Sequence, residues 1–590
     1  MPADTSPADT VVLTDENNTY PEYVWYTIAA FLFVVGCFQH YESDEETAAF
    51  NNIQHKFSLR RIPLAIVNFY RVVAFRWTLA IGQSYTLNMA EVLVTVVYIA
   101  LLLIYAFINT TSVKGQKLDV YYWSNRIAVL ASSQFPIVTA LGTKNNLVSL
   151  VTGISYDKLN YIHRMMARTC FMLLCVHAVG EVQYYSSYDW IHAGVIAMVA
   201  FFILILASLR PVRSNVYEVF FYIHFIAVMM LLVGAYFHTH GVYGSYWIWP
   251  SFVIWALDRV IRMVRLVVFN HSYFGFKSGY GTMDATTEML SEDVVRVRLH
   301  RPPHFHWSPG QTAYLIMPSV STLPFEAHPF TIASYDSSLL STAETEDQSG
   351  SSREHEIQVS GSSSSLWKEL VFFINVHRGF TKNLKEVAAK KGIVKVFVDG
   401  PYGSSPDLGS YDTSVLVAGG SGISYTLPVF LNVIEQARKG KSSCKRVVFI
   451  WSIRQAESVQ WIEEALVKAV QLAPPSLTVS IRIFYTGSTR SMEEVSSLSN
   501  STEKPGKDPL ALSMLLSLRG VKMESGRSDL DALLKEEVSM ASGSMSVSVC
   551  GSQGIARAVR RALRFPVSGP SSVLSGGPSV TLYVESFGYA

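Results

Sequence analysis

The chain has 590 residues, with 48 Lys and Arg against 46 Asp and Glu, so its formal net charge is only +2. Charged residues make up 16% of it, below the roughly 25% of an ordinary soluble protein, and they fall to about 9% in residues 87–257. This pattern excludes a wholly soluble enzyme, a disordered chain and a nucleic-acid binder that depends on a basic surface.

Apolar runs long enough for a hydrocarbon core of about 30 Å predict membrane spans. The first run is short, and the third is interrupted by Pro136, Gly142 and Lys144, so we expect six to seven spans. The runs lie at residues 23–39, 87–109, 126–152, 160–180, 191–209, 216–237 and 246–268.

Residues 62–81 are also apolar, but Arg71 and Arg76 favour a helix at the membrane interface over a span. We therefore expect residues 1–86 to hold one transmembrane helix and a cytosolic loop, and residues 87–275 to form the main membrane domain.

Basic residues collect at one set of span ends, which predicts the orientation. They are Lys158, Arg164, Arg168, Arg210, Arg213, Arg259, Arg262 and Arg265. The C-terminal half is then cytosolic, and seven spans place the N-terminus outside. Sequons at Asn17 and Asn109 would face outward and predict a glycoprotein, whereas those at Asn270 and Asn500 would face the cytosol unused.

Four histidines form two pairs with equal spacing. His163 and His177 lie 14 positions apart on the fourth span, and His224 and His238 lie 14 apart on the sixth. Fourteen residues rise about 21 Å and stop about 40° short of four turns, so each pair lies on one helix face at two depths. Because one span intervenes, the two helices run parallel, which brings His163 level with His224 and His177 level with His238.

Two opposed imidazoles at each level would hold a six-coordinate haem iron. The sequence thus predicts two stacked haems, the first bound by His163 and His224 and the second by His177 and His238. The alternatives are interhelical hydrogen bonds or a proton path, and His240 is an alternative ligand to His238.

From about residue 285, short alternating strands predict a small β-barrel. Its distinctive stretches are His328 to Ser334, Arg378 to Leu384 and Asp399 to Gly403. A strand end with a Thr hydroxyl suits the edge of a flavin ring. Gly379, opening a helix that carries Thr381, suits a pyrophosphate. Strand ends and turns of purely structural role are the alternative.

The last third begins with a buried-type strand, residues 415–418, followed by Gly419-Gly420-Ser421-Gly422 and a helix. This order predicts a dinucleotide phosphate site. Arg454 follows the next strand and would pair with a 2′-phosphate, favouring NADPH, or is an exposed cation at a helix start. Cys550 and Gly551 end a later strand, where Cys550 lies near the nicotinamide or is a buried small residue.

Two polar segments, residues 336–364 and 486–528, are rich in Ser and Glu. We expect both to be flexible surface insertions in the flavin and nicotinamide domains.

In combination, these motifs resemble the fungal-type ferric reductases, whose superfamily includes the NADPH oxidases. The likeness runs from about residue 90 to the C-terminus and includes the ending Glu585 to Tyr589. It implies a helical transmembrane bundle, a ferredoxin-reductase-like β-barrel FAD domain at 280–405 and an α/β Rossmann-like NAD(P)-binding domain at 410–590.

The resemblance also implies roles for individual residues. His328, Pro329, Phe330, Thr331 and Ser334 would contact FAD, and Gly419, Gly420 and Gly422 would contact the NADPH phosphates. Relatives cover the flavin ring with an aromatic near the C-terminus. The counterpart here is Tyr589, with Phe587 as the alternative.

The predicted function is a plasma-membrane metalloreductase that passes electrons from cytosolic NADPH through FAD and two b-type haems to ferric chelates or siderophore iron outside. No catalytic acid or nucleophile is required. Cupric ion is an alternative acceptor, a vacuolar membrane is the alternative location, and coupling to an iron permease and oxidase is a further expectation. An NADPH oxidase producing superoxide is the nearest alternative, although in that group the second histidine pair is typically shorter by one position. A seven-span receptor or transporter is a third.

Overall fold

The computed structural model describes residues 7–48, 58–81, 85–112, 115, 117, 120–185, 189–240, 245–270, 284–302, 304–323, 326–335, 369–487, 515–541 and 543–586. Two compact units divide the chain: one holds residues 1–43 and 90–264, and the other holds residues 44–89 and 265–588.

Helices dominate the chain up to residue 270. They are α1 (Pro7–Ala48), α2 (Ile62–Arg71), α3 (Met89–Phe107), α4 (Val120–Ser133), α5 (Phe135–Gly142), α6 (Leu147–Thr152), α7 (Tyr156–Tyr185), α8 (Asp189–Ala207), α9 (Arg210–Asn215), α10 (Tyr217–Thr239) and α11 (Trp249–Phe269). The third predicted span is thus three helices, α4 to α6, with Pro136 in the first turn of α5, a position that suits proline.

Among the described residues, four helices are long and apolar enough to cross a membrane. The stretches are Thr14–Cys37, Met89–Phe107, Trp190–Ala207 and Tyr217–Thr239. Helices α7 and α11 carry several charges, including Arg164, Glu181 and Asp258. The count of six to seven spans therefore stays a prediction.

Small residues bring α8 and α10 close together. A Cβ placed on Gly234 would lie 2.9 Å from the carbonyl oxygen of Ala193, and Ala200 and Ala227 are buried in the same unit. Close backbone contact of this kind is typical of helices that associate in lipid.

A buried polar cluster lies in the same unit. The guanidinium of Arg126 is fully buried and pairs with Glu16, and the side-chain amide of Asn109 donates to Tyr20 at 2.8 Å. Asn17 is buried, with 5% of its surface exposed, whereas Asn109 is exposed. Burial disfavours a glycan on Asn17, and glycosylation at both sequons stays a prediction.

The second unit contains the segment Ser58–Asn88, in which α2 is followed by the antiparallel strands β1 (Thr78–Ile81) and β2 (Tyr85–Asn88). Arg71 and Arg76, which suggested an interfacial helix, are buried in this unit. Apolar side chains of α2 such as Ile66 and Phe69 remain exposed. The position of α2 at a membrane surface stays a prediction.

Residues 284–402 form a barrel-like pair of antiparallel sheets. The strands are β3 (Asp284–Ser291), β4 (Val294–His300), β5 (Thr312–Ile316), β6 (His328–Thr331), β7 (Glu369–Asn375), β8 (Ile393–Lys395) and β9 (Phe397–Tyr402). Their orders are β7-β4-β3-β8 and β6-β5-β9. Alternating residues of β4 and β5 enter one buried core, as expected for half-buried strands. Helix α12 (Phe380–Ala389) packs on this core through Phe380 and Leu384.

Residues 411–586 form a six-stranded parallel sheet covered by helices on both faces. The strands are β10 (Thr413–Gly419), β11 (Arg446–Ile453), β12 (Thr478–Tyr485), β13 (Val521–Ser525), β14 (Ser544–Gly551) and β15 (Ser579–Ser586), in the order β13-β12-β11-β10-β14-β15. The helices are α13 (Ile423–Arg438), α14 (Glu463–Leu472), α15 (Leu530–Met540), α16 (Gln553–Ala562) and α17 (Pro570–Leu574).

Alternation along β10 explains the two covered faces of the sheet. Leu416 and Ala418 enter the core that includes α13 and α14, whereas Val415 and Val417 enter the core that includes α15 and α16. A strand buried on both faces reads as a continuous apolar run, as it does here.

The expectation of a flexible insertion over residues 486–528 is wrong for its last part. Val521–Ser525 forms the edge strand β13, parallel to β12, and Leu515 is fully buried. Its charged residues, Lys522 and Glu524, are those that protect an exposed sheet edge, and they hid the strand in the sequence. Residues 336–368 and 488–514 lie outside the described residues.

Candidate functional site

The four predicted histidines lie together in two pairs inside the membrane unit. The ring centres of His163 and His224 are 6.4 Å apart, and those of His177 and His238 are 6.2 Å apart. His238 therefore faces His177, while His240 is exposed and lies against Tyr236. In each pair one ring comes from α7 and the other from α10.

These separations suit two imidazoles that share one metal ion. A metal–imidazole bond is about 2 Å long, and bonds of about 1.35 Å place a ring nitrogen about 1.2 Å from the centre of a five-membered ring. Two opposed rings on one ion would thus have centres about 6.4 Å apart. A direct hydrogen bond between two ring nitrogens would instead place the centres about 5 Å apart.

In each pair one ring is fixed by a backbone carbonyl. Nδ1 of His163 lies 2.8 Å from the carbonyl oxygen of Val138, and Nδ1 of His238 lies 3.0 Å from that of Trp190. A carbonyl only accepts, so both Nδ1 atoms must carry the proton, which leaves Nε2 of each ring with a lone pair for a metal. The residues therefore fit haem iron as a ligand set.

In the barrel, β6 carries four of the predicted flavin residues, His328 to Thr331, along the edge of the three-stranded sheet, where it pairs with β5. The ring of His328 stacks on Phe380 at 4.2 Å, and Pro329 is exposed. Phe330 and Thr331 are half-buried on the same strand.

Ser334 has a structural contact of its own. It is fully buried, and its hydroxyl accepts from the amide of Val371 at 3.2 Å. Trp307 donates its indole N–H to the carbonyl of Ser334 at 2.9 Å. A contact of Ser334 with FAD stays a prediction.

Gly379 precedes α12 with a φ of 61°, a left-handed conformation that glycine adopts at little cost. The hydroxyl of Thr381 accepts from the amide of His377 at 2.8 Å and so stabilises this turn. The first turn of α12 offers free backbone N–H groups for a phosphate, as every helix start does. Tyr589 and Phe587 lie outside the described residues.

The glycine turn lies where the strand order of the parallel sheet reverses. Strand β10 is followed in sequence by β11 on one side, whereas β14 lies on its other side. Ala418 is paired with Cys550 in this register. Ligands of such sheets bind outside the carboxyl ends of the strands at the reversal point, so Gly419 to Gly422 and Cys550-Gly551 line the same crevice.

Gly422 is required by close packing. A Cβ on Gly422 would lie 2.1 Å from the carbonyl oxygen of Cys550. By contrast, Gly420 has a φ of 54° and no neighbour within 4 Å of its would-be Cβ among the described residues. Cys550 is fully buried, and burial, together with the charge of Glu585, raises the pKa of its thiol.

Two contacts of the glycine turn have no counterpart in the sequence motifs. The amide of Asn375, at the end of β7, donates to Ser421 Oγ at 2.7 Å, and the indole of Trp451 donates to the carbonyl of Gly420 at 3.0 Å. Arg454 is exposed just beyond β11, and within the described part of the chain no side chain pairs with its guanidinium. In the sequence, the contacts of Asn375 and Trp451 with the glycine turn were indicated only by the position of each residue near the end of a strand.

Comparison with known protein families agrees with this architecture. A model described as "Ferric reductase like transmembrane component" matches residues 127–235, an "FAD-binding domain" model matches 280–406, and a "Ferric reductase NAD binding domain" model matches 411–563. The chain thus carries a ferric-reductase-like transmembrane domain followed by two domains that match ferric reductase and flavoprotein models. It has an FAD-binding and an NAD-binding domain, and its transmembrane domain is of the haem-binding type.

Fungal proteins are among the relatives. The "Probable cell surface ferric reductase kap2" of Aspergillus oryzae is 29% identical over 61% of this chain and 47% of its own length. "Ferric/cupric reductase transmembrane component 1" of Candida albicans is 24% identical over 72% and 53%. "Ferric reductase transmembrane component 3" of Saccharomyces cerevisiae is 24% identical over 73% and 57%. The chain thus spans about half the length of these relatives.

Among solved structures, the flavohemoglobin of Malassezia yamatoensis is 12% identical, covering 78% of this chain and 96% of that chain, with a TM-score of 0.32. A score this low gives no support to a shared fold.

Proposed function

We propose that this protein is a transmembrane metalloreductase that passes electrons from cytosolic NADPH, through FAD and two b-type haems, to ferric chelates on the far side of the membrane. The observation that carries the proposal is the pair of ring separations, 6.4 Å for His163 and His224 and 6.2 Å for His177 and His238. Both suit imidazoles on opposite sides of one iron.

The nicotinamide half binds the electron donor. Gly419 to Gly422 present backbone N–H groups at the start of α13, where the positive end of the helix dipole favours the dinucleotide phosphates. We assign Arg454, exposed just beyond β11, to a 2′-phosphate, which would favour NADPH over NADH. Asn375 orients Ser421 from the flavin domain and so links the two cofactor-binding domains at this turn.

The flavin half holds the isoalloxazine ring and its pyrophosphate. We assign His328, Pro329, Phe330, Thr331 and Ser334 to the ring edge, and Gly379 with Thr381 to the pyrophosphate. FAD, when bound, accepts a hydride from NADPH and releases single electrons. Tyr589 is proposed to cover the ring.

The four histidines would hold the two haems, which when bound carry one electron each. With two imidazoles at each site, a bound iron would have no position open to oxygen, which favours relay over oxygen binding. His163 and His224 form the cytosolic site because the basic helix ends adjoin them, and His177 and His238 form the outer site.

The Ser58–Asn88 segment supports this orientation. Its side chains bond to the nicotinamide domain within one unit, so the chain between the first two predicted spans lies on the same side of the membrane as NADPH. Seven spans then place the N-terminus outside. We assign the protein to the plasma membrane, with ferric chelates or siderophore iron, or cupric ion, as acceptors, and with an iron permease and oxidase as functional partners.

The test combines spectroscopy with product analysis. Purified protein should show a reduced b-type haem spectrum, with two haems per chain, after NADPH is added. Intact cells should form ferrous chelate in the medium in proportion to expression. Protein without haem would overturn the relay. Oxygen-dependent superoxide as the main product would replace the metalloreductase by an NADPH oxidase, the nearest alternative.

A further inference from the structure

The two histidine pairs share an arrangement that the spacing of the histidines does not reveal. The carbonyl of Val138 on α5 bonds Nδ1 of His163, and Gly142 follows four residues later on α5. The carbonyl of Trp190 on α8 bonds Nδ1 of His238, and Gly194 follows four residues later on α8. Each glycine lies against the ring that its own helix bonds.

Helix geometry explains this spacing. The carbonyl of residue i points along the axis towards residue i+4, and the Cα–Cβ bond of residue i+4 tilts back towards it. A side chain at i+4 therefore stands beside the carbonyl oxygen and hinders the approach of any donor besides the helical amide. Glycine at i+4 leaves that oxygen open to a second donor.

The distances show how closely each ring occupies the open space. A Cβ on Gly194 would lie 2.6 Å from Nδ1 and 2.8 Å from Cε1 of His238. A Cβ on Gly142 would lie 3.1 Å from Cε1 and 3.2 Å from Nδ1 of His163. A Cβ on Gly194 would therefore force the ring of His238 to move away. A Cβ on Gly142 would require the ring of His163 to shift by only a few tenths of an ångström.

We propose that Val138–Gly142 and Trp190–Gly194 are two copies of one positioning device, here called the carbonyl–glycine bracket. Each bracket fixes the proton on Nδ1 and turns Nε2 of one imidazole towards its partner ring. The bracketed ring belongs to α7 in the first pair and to α10 in the second. Each ligand-bearing helix thus has one bracketed and one unbracketed histidine.

Helix packing alone does not account for these glycines. Gly234 is the packing glycine of α10, since the three nearest atoms to its would-be Cβ belong to Ala193 and Ala197. Gly142 and Gly194 meet imidazole atoms first. In the bracketed rings Nδ1 is satisfied, whereas Nδ1 of His224 is buried with no hydrogen-bond partner in the part of the chain that the structure describes.

This inference rests on the proposed haem ligation by the four histidines. Its test distinguishes a failure of the brackets from a failure of the ligation. Gly142→Ala and Gly194→Ala are purified and reduced with dithionite, so that NADPH and flavin play no part. The readouts are haem content per chain, the absorption and electron paramagnetic resonance spectra, and the midpoint potentials. Val195→Ala, on the 52% exposed residue beside Gly194, is the control for a substitution near the ring. Gly153→Ala adds backbone strain at a φ of 68° while its Cβ would meet no described atom within 4 Å, so it is the control for strain at a glycine.

We expect Gly194→Ala to weaken haem binding at the His177–His238 site by about 10–100-fold, the usual cost of losing a partner that orients a metal ligand. Gly142→Ala should retain both haems and shift the spectrum and potential of the His163–His224 haem alone. Both controls should match the parent protein.

Parent protein without haem would overturn the proposed ligation. Parent protein with two haems, and glycine variants with unchanged spectra and potentials, would overturn the brackets and leave the ligation intact. Equal perturbation of both haems in each variant would also overturn them. If Gly194→Ala does not accumulate, Gly142→Ala decides alone, because its ring has only to shift slightly.

Discussion

The histidine sites in the membrane unit and the crevice in the nicotinamide domain are built from different parts of the chain. At the histidine sites the proposed binding atoms belong to four side chains, whose ring centres lie 6.4 and 6.2 Å apart within the two pairs. In the crevice the proposed binding atoms belong mainly to the backbone of Gly419 to Gly422 beside Cys550 and Gly551. The first kind of site is lost when a side chain is removed, whereas the second is lost when one is added.

The largest expected effect comes from removing a histidine. His177→Ala should leave one haem per chain and lower external ferric reduction about 100-fold or more, because the His177–His238 site would then offer one imidazole in place of two. The haem content of the purified protein measures the first effect, and ferrous-chelate formation by intact cells measures the second. His240→Ala, two positions from His238 and exposed, should retain both values. Normal ferric reduction by His177→Ala would show that the relay does not use this residue.

A bulky side chain in the crevice should have nearly as large an effect. Gly420→Trp would fill the open space beside the turn and block NADPH binding while both haems stay in place. Gly420→Ala, which carries the same strain of about 1–2 kcal/mol at positive φ, separates bulk from strain. The rate of NADPH oxidation, with ferricyanide as electron acceptor, measures NADPH binding and use. The haem spectrum after reduction with dithionite shows whether both haems are present. Equal loss of oxidation in both variants would mean that strain, and not occupancy, disables the crevice.

A loss of stability of intermediate size is expected on substitution of Arg76. This side chain of the second unit bonds other parts of the protein and has no proposed ligand. Its buried guanidinium donates to the Leu563 carbonyl at 2.7 Å and to Ser568 Oγ at 2.9 Å, and it also bonds the Val580 carbonyl. Burial, together with the charge of Arg71, lowers the pKa of Arg76 to about 9, so the group is still charged at neutral pH.

Arg76→Ala would leave these acceptors without their charged donor, at a cost of about 3 kcal/mol. Thermal unfolding and the rate of proteolysis within residues 58–88 measure it, with Arg60→Ala, an exposed residue of the same segment, as the control. Equal protease resistance in both variants would show that the segment is held by other contacts.

The smallest effect is expected for Arg454, the side chain assigned to the 2′-phosphate. Arg454→Ala should lower the preference for NADPH over NADH about tenfold, or about 1.4 kcal/mol, because an exposed cation contributes little. The measurement is the ratio of kcat/KM with NADPH to kcat/KM with NADH. The value with NADH serves as the control, because it is obtained on the same preparation. Complete loss of activity with both nucleotides would contradict the comparison between side-chain and backbone sites.

Much of this molecule could be predicted because its signals are local. The histidine spacing follows from the helix period, and the glycine turn follows from a strand and a helix on either side of it. Other features depend on neighbours that no local pattern names. Gly142 was visible only as an interruption of an apolar run, although it lies against His163. The edge strand β13 was hidden because charged residues suit both a loop and a sheet edge.

The most distant contacts were the least predictable. Asn68 accepts from the amide of Val580 at 3.4 Å, and Arg71 donates to Ser579 Oγ at 3.2 Å. Each joins residues more than 500 positions apart, and a buried arginine at such a contact is indistinguishable in sequence from one at a membrane surface. The expected cytosolic loop is therefore in part a component of the nicotinamide domain.

Those contacts also set an order for biosynthesis. Arg76 leaves the ribosome 504 residues before Val580, which corresponds to about 25–100 s at 5–20 residues per second. During that time Asn68 and Arg71 precede Val580 and Ser579, and Arg76 precedes all three of its described acceptors, Leu563, Ser568 and Val580. A chain that stops before Leu563 never supplies these contacts, so early termination leaves the segment without the hydrogen bonds that bury it in the nicotinamide domain.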